Sequence, residues 1–225
     1  MKLPVILQSR MGSTRLPGKA LRDLGGRPLT VRVLEALLAA RRVSHVVVAV
    51  PANSEAALRP LAEALGCRLF VGSEEDVLGR FAGALEGEKA AHCIRATGDN
   101  PLVCPELLDR IVDHHLASGA DLSHYLGNAL GTGVEVVRTA ALLEAAREAV
   151  DPHEREHVTP FLYRHPERYR IEEPRLEMGG ELRLTVDTEE DFRRVEAIWR
   201  ALYRGRPLPL REILATLEQK PDLLG

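Results

Sequence analysis

Disulfide chemistry is nearly absent from this chain. Three cysteines, Cys67, Cys93 and Cys104, stand in 225 residues, an odd number with no CxxC pair. They read as reduced packing residues rather than nucleophiles or staples. No apolar run approaches the roughly 18 residues of a membrane span. The start, Met1-Lys2-Leu3-Pro4-Val5-Ile6-Leu7 followed by Gln8-Ser9-Arg10, has neither the apolar region nor the cleavage site of a signal peptide. A cytoplasmic location is expected. A basic excess is also missing: 30 Lys and Arg face 33 Asp and Glu, net charge -3. The charges are interspersed, which argues against nucleic acid as a partner. Only four of the 30 basic residues are lysines, and Asn and Gln total five, the direction that heat adaptation takes. There is no internal repeat and no low-complexity segment.

What is present is a globular composition, 45% hydrophobic and 28% charged, in a length that suits one α/β domain or a domain with a small attached lobe. Val5-Ile6-Leu7, Val46 to Val50, Arg68 to Val71 and His92 to Arg95 read as buried strands. Pro28 opens a helix. Asn53 or Ser54 can cap a helix through Leu65. Glu74 to Leu85 and a segment starting at Pro105 are also helical. Strands alternating with helices predict a doubly wound, mostly parallel sheet with helices on both faces. Ligands of such sheets bind outside the strand carboxyl ends. After residue 120 the pattern loosens. A strand over Val134–Val137, helices over Ala140–Val150 and His153–Arg164, a strand over Leu182–Val186 and a helix capped by Thr188 are expected, with a last helix from Leu210. His114 and His115 read as ordinary helix or surface residues.

The first chemical constellation follows the first strand: Gln8-Ser9-Arg10-Met11-Gly12-Ser13-Thr14-Arg15-Leu16-Pro17-Gly18-Lys19. Gly12 and Gly18 let the backbone turn close to a ligand. Successive N–H groups can form an anion nest. Arg10, Arg15 and Lys19 add three positive charges, so the loop suits a polyphosphate. It is neither a Walker loop, since Ala20 follows the lysine, nor a GxGxxG fingerprint. Asp99 and Asp187 each fall where a strand ends. Two such carboxylates suit Mg²⁺, which completes its shell with water and phosphate oxygens. Each also has a purely local use, as a turn residue before Asn100-Pro101 or as a carboxylate near a helix N-terminus.

His153-Glu154-Arg155-Glu156-His157 matches HExxH literally. Between Pro152 and Pro160, however, only about two helical turns fit, and no clear third ligand follows. A solvated helix end is the better reading than zinc.

The stretch from Val5 to Lys19 resembles the signature of the sugar cytidylyltransferases, which include the CMP-acylneuraminate and CMP-KDO synthetases. The closest likeness is to the branch acting in spore-coat polysaccharide synthesis. It continues in Gly72 to Leu78, Arg95 to Leu102, Arg155 to Pro160 and Thr185 to Asp191, and so spans nearly the whole chain as one nucleotidyltransferase domain. The resemblance implies a nucleotide-diphospho-sugar transferase fold, with residues near 120–182 forming an acceptor-side or interface subregion. It implies transfer of CMP from CTP to a sugar hydroxyl, with Mg²⁺ held by Asp99 and Asp187 and with Arg10 and Lys19 catalytic. Gln8, Ser9, Arg10, Gly12, Ser13, Arg15, Lys19 and Asp76 would bind CTP, with Arg80 beside the nucleotide, and Glu135 and His157 would meet the acceptor. Asn100, acidic in some relatives, leaves a second metal open. A homodimer is possible on the same grounds. The alternatives are another NTP, a sugar 1-phosphate acceptor, a glycosyltransferase using a finished nucleotide sugar, or a non-catalytic nucleotide-binding protein. A glycosyltransferase would want a mid-chain DxD motif, and the sequence offers Asp99-Asn100-Pro101 instead.

Overall fold

The computed structural model describes residues 1–224. The strands are β1 (Leu3–Gln8), β2 (Val43–Pro51), β3 (Arg68–Gly72), β4 (His92–Thr97), β5 (Leu122–Ser123), β6 (Leu126–Leu130), β7 (Glu135–Arg138), β8 (Ile171–Glu172) and β9 (Arg175–Arg183). The helices are α1 (Leu29–Leu38), α2 (Ala52–Glu63), α3 (Val77–Glu86), α4 (Pro105–Ser118), α5 (Thr139–Glu148), α6 (Pro152–His157), α7 (Pro160–Arg164), α8 (Glu189–Leu202) and α9 (Leu210–Gln219). Seven strands make one sheet in the order β3-β2-β1-β4-β7-β5-β8. The first four are parallel, and β7 runs antiparallel to both β4 and β5. A second, two-stranded sheet pairs β6 with β9.

Alternation along the strands fills two cores, one on each face of the large sheet. Val5, Leu7, Val46, Val48, Ile94 and Val136 pack with α1, α2, α4, α8 and α9. Ile6, Val47, Ala49, Cys93 and Val137 pack with α3, α5 and α7. This is the doubly wound arrangement expected from the strand-helix alternation. All three cysteines are buried and unpaired. Among the described residues no helix is long and apolar enough to cross a membrane.

Several local expectations are corrected. Helix α2 starts at Ala52, so neither Asn53 nor Ser54 caps it. The Ser54 hydroxyl instead accepts from the Met11 N–H at 2.9 Å, and the Asn53 amide donates to Glu74 at 2.8 Å. Helix α3 begins at Val77 because Asp76 is its cap. The segment His153–Arg164 is two helices, not one. They are broken at Val158, whose φ of 76° and ψ of -59° place it in a strained γ-turn closed by the Thr159 N–H on the His157 carbonyl at 3.0 Å. Leu184–Val186 belongs to no strand. β9 ends at Arg183, and the chain beyond is tethered by single bonds, Leu184 N–H to the Leu130 carbonyl and Val186 N–H to the Asp99 carbonyl, each 2.8 Å. His115 is neither a surface residue nor an ordinary helix residue. It is fully buried, and hydrogen-bonds to Ser123 and His92.

Candidate active site

The first loop leaves the carboxyl end of β1, at the edge where parallel strands expose their ligand site. Its backbone is pinned on both sides. Ser9 N–H reaches the Ala49 carbonyl at 3.3 Å, and Met11 N–H reaches Ser54. Gly18, at φ 68°, then turns the chain into a short helical turn that begins with Lys19. Opposite lies the end of β4. Gly98 donates to the Gln8 carbonyl at 2.8 Å, and a Cβ on Gly98 would sit 2.8 Å from the Ser9 hydroxyl. Only glycine lets the two loops meet so closely.

Lys19 draws three distant segments together. Its Nζ donates to the Val186 carbonyl at 2.7 Å and to Asp187 Oδ1 at 3.0 Å, and it lies 3.6 Å from Asp99 Oδ2. Asp187 is also paired with Arg15 at 3.2 Å and with Arg183. Just ahead of it, the Val186 N–H donates to the Asp99 carbonyl, tying the two carboxylate-bearing segments together. Behind it, Thr188 and Asp191 form a reciprocal cap at the start of α8, and Asp191 Oδ2 also accepts from the Asp187 N–H at 3.0 Å.

These residues border a cleft of ≈ 360 Å³, within the range of small-molecule sites. Gln8, Ser9, Arg10, Ser13, Arg15, Lys19, Asp99, His157 and Asp187, all singled out in the sequence, line it together, as does Arg80. Arg80 is buried and donates to the Ser73 carbonyl. Burial first, then the nearby Arg10 charge, lowers its pKa.

Three residues from the sequence reading are placed elsewhere. Gly12 faces Glu74, 3.1 Å from where a Cβ would be. Asp76 accepts from the Gly79 N–H at 2.8 Å and from Arg155 at 2.5 Å, outside the cleft lining. Burial pushes its carboxyl up, but Arg155 and the Gly79 N–H outweigh that and hold it below the ordinary value. Glu135 stands behind the wall, engaged with Arg95, Thr159 and Tyr163.

Arg95, Thr97 and Glu156 also line the cleft; they fall inside the motifs of the sequence reading, which gives none of them a role. Arg95 carried a signal, since it is the one charge inside His92-Cys93-Ile94-Arg95-Ala96-Thr97. In the HExxH segment, Glu154 is buried and paired with Arg164 at 2.7 Å, turned away from the role of water activator. The rings of His153 and His157 lie 4.4 Å apart. Among the described residues no group of three or more His, Cys, Asp or Glu is set to hold a metal.

The parallel sheet and a phosphate-suited loop facing two carboxylates define a nucleotidyltransferase type of site. A family model described as cytidylyltransferase matches residues 4–219, and the chain belongs to that family. The spore coat polysaccharide biosynthesis protein SpsF of Bacillus subtilis (strain 168) is 37% identical over 229 residues, spanning 96% of this chain and 94% of that protein. The 3-deoxy-manno-octulosonate cytidylyltransferase of Chloroherpeton thalassium is 29% identical over 191 residues, 79% of this chain and 76% of that one. Among solved structures, a cytidylyltransferase from Leptospira borgpetersenii superposes with a TM-score of 0.93 at 26% identity, covering 100% of this chain and 97% of that one.

Proposed function

We propose that this protein transfers CMP from CTP to a sugar hydroxyl and releases pyrophosphate, activating a sugar for surface polysaccharide assembly. The observation that carries the reading is Lys19, which reaches Asp99 and Asp187 at the mouth of a loop rich in N–H groups and arginine. In this reading the triphosphate lies along Arg10, Arg15 and Lys19, and the base lies toward Gln8 and Ser9. His157, on the opposite wall, faces the acceptor. The acceptor hydroxyl oxygen gives up its proton to water and forms a bond to the α-phosphorus while the bond to the bridging oxygen of the leaving pyrophosphate breaks. Chemistry of this type rests on positioning and charge stabilisation, which the cationic loop supplies without a protein nucleophile. The three buried free cysteines suit a reducing compartment such as the cytoplasm.

The residues present fit a divalent cation. Asp99 and Asp187 already converge on one ammonium group, and they offer hard oxygen donors with room for water and phosphate oxygens. These two carboxylates would hold Mg²⁺, which when bound neutralises charge at the α-phosphate.

A pyrophosphate-release screen of the four NTPs against acid and amino sugars tests the reading. Release with CTP and one acceptor class is expected. CTP with Mg²⁺ should also raise Tm more than ATP or GTP, since a ligand stabilises the fold it binds. Equal shifts with all four nucleotides would leave a phosphate site and remove cytidine selectivity.

A further inference from the structure

A chain of hydrogen bonds runs from the α6–α7 segment to the end of β1. The Thr159 hydroxyl donates to both oxygens of Glu135, at 3.2 and 3.1 Å, and Tyr163 donates to Glu135 Oε1 at 3.2 Å. Burial, then the Glu135 charge, pushes the Tyr163 phenol well up, so it stays a donor. Glu135 Oε2 in turn accepts from Arg95 Nη1 at 2.8 Å. Arg95 Nη2 donates to Gln8 Oε1 at 3.4 Å. The strained Val158 lies directly before Thr159, and strain of this kind persists where the surroundings hold it. The side chains of Arg95 and Glu135 are 16% and 17% exposed, so the pair is largely shielded from water.

The consequence falls on Gln8. An amide can present either its carbonyl or its NH₂ to a ligand. With Oε1 taken by Arg95, the NH₂ is the end left for the cleft. Cytosine carries an acceptor at N3, whereas uracil carries an N–H there. A donor therefore fits cytosine and is left opposed to uracil, and a mismatched donor in a closed site is costly.

We propose that Arg95 is a positioning residue that, held by Glu135, fixes the Gln8 amide with its NH₂ toward the pyrimidine and so selects CTP over UTP. The inference rests on the reading that the nucleotide base lies over Gln8. Removing Arg95 frees the amide to rotate, so it can turn its carbonyl to uracil as readily as its NH₂ to cytosine. A purely structural role for Arg95 would weaken both nucleotides alike.

The test compares kcat/KM for CTP and UTP, with a fixed acceptor, in wild type, Arg95→Met and Gln8→Glu. Arg95→Met should lower the CTP:UTP ratio about tenfold, the size of one good hydrogen bond to a base edge, with UTP unchanged or improved. Gln8→Glu, a change at a half-buried cleft side chain, puts an acceptor where the donor was and should lower the ratio at least as far. If Arg95→Met does not fold, Gln8→Glu and the response of wild type to the triphosphate of 3-deazacytidine, which has C–H at position 3, carry the test. Wild type should use that analogue about tenfold less well than CTP, and Gln8→Glu should not discriminate it. Equal losses for CTP and UTP in Arg95→Met, or an unchanged ratio in Gln8→Glu, would overturn the proposal. A wild type that does not prefer CTP would instead sink the cytidylyl reading itself.

Discussion

At its carboxyl end β4 delivers Thr97, Gly98 and Asp99 to the cleft, and at its amino end it delivers His92 to a closed polar cluster. There His92 Nδ1 meets His115 Nε2 at 2.9 Å, and His115 Nδ1 meets the Ser123 hydroxyl at 2.8 Å. Asp121 and Arg138 pair beside them. Both ends gather polar groups from distant parts of the chain, but they satisfy them differently. The histidine cluster closes on itself, and His115 has no exposed surface. The Lys19 cluster keeps Asp99 open, its side chain 30% exposed. A cluster that closes on itself contributes stability. One that stays open holds charges ready for a ligand, so substitutions at the two ends should fail in different ways.

The largest expected effect is at the open end. Asp99→Asn and Asp187→Asn should each lower turnover at least about a hundredfold, which is about 2.7 kcal/mol of lost transition-state stabilisation. If both side chains hold one cation, as proposed, the double variant should be little worse, because groups acting as a unit are not additive. Tm should change little, since Asn keeps the shape. Near-full activity in either single variant at saturating CTP would make that aspartate a turn or cap residue. Fully multiplicative losses would give the two aspartates separate roles.

The closed end should fail through acid. Burial first, then the neighbouring His92, holds the His115 pKa down to about 4, and burial and Arg138 lower His92 as well. A histidine whose folded pKa lies below its unfolded value of about 6.5 resists protonation only while folded. Its contribution is whole above pH 6.5 and is lost as pH falls toward 4, about 3 kcal/mol across that window. Calorimetry between pH 7 and pH 5 should show Tm falling before most carboxylates titrate. A flat Tm over that range would show that His115 is solvated or shares its proton without cost.

The same contrast explains what was legible in the sequence. The open end was legible because its residues sit at fixed offsets from strand ends: Lys19 after a Gly-rich loop, Asp99 after His92–Thr97. The parallel half of the sheet was legible for the same reason, since strands buried on both faces read as continuous apolar runs. The later half was not. β5 and β8 have two residues each, too short for any periodicity, and β6 and β9 carry mixed, half-exposed side chains. The γ-turn at Val158 was hidden because a valine gives no local warning of a positive φ, which tertiary contacts impose. Glu135 is placed at the acceptor only by the family resemblance. Its Arg95, Thr159 and Tyr163 partners come from 24 or more residues away along the chain, beyond the reach of spacing arguments, and Arg95 from 40. His115 looked ordinary because its partners lie on β4 and β5, elements that only the fold brings beside α4.

The smallest expected effect probes whether the open end carries any stability of its own. Thr188 caps α8: its hydroxyl accepts from the Asp191 N–H at 3.2 Å, and Asp191 Oδ2 accepts from the Thr188 N–H at 2.9 Å. The same Asp191 oxygen accepts from the Asp187 N–H, so the cap and Asp187 share a support. Thr188→Ala removes the hydroxyl and one orphan N–H loses its partner, which costs about 1 kcal/mol. In a chain of this size that lowers Tm by about 2–4 °C. Asp191 keeps its bonds to the Asp187 and Thr188 backbones, so the carboxylate of Asp187 stays in place and turnover should fall less than about threefold, under about 0.7 kcal/mol. Measuring Tm and kcat on the one variant separates the two contributions. A Tm loss with turnover kept means the cap stabilises the helix while Lys19 and the Val186 peptide bond hold Asp187. A turnover loss approaching that of Asp187→Asn would mean the cap itself sets the carboxylate, and the cleft end would then be as tightly coupled to folding as the histidine cluster.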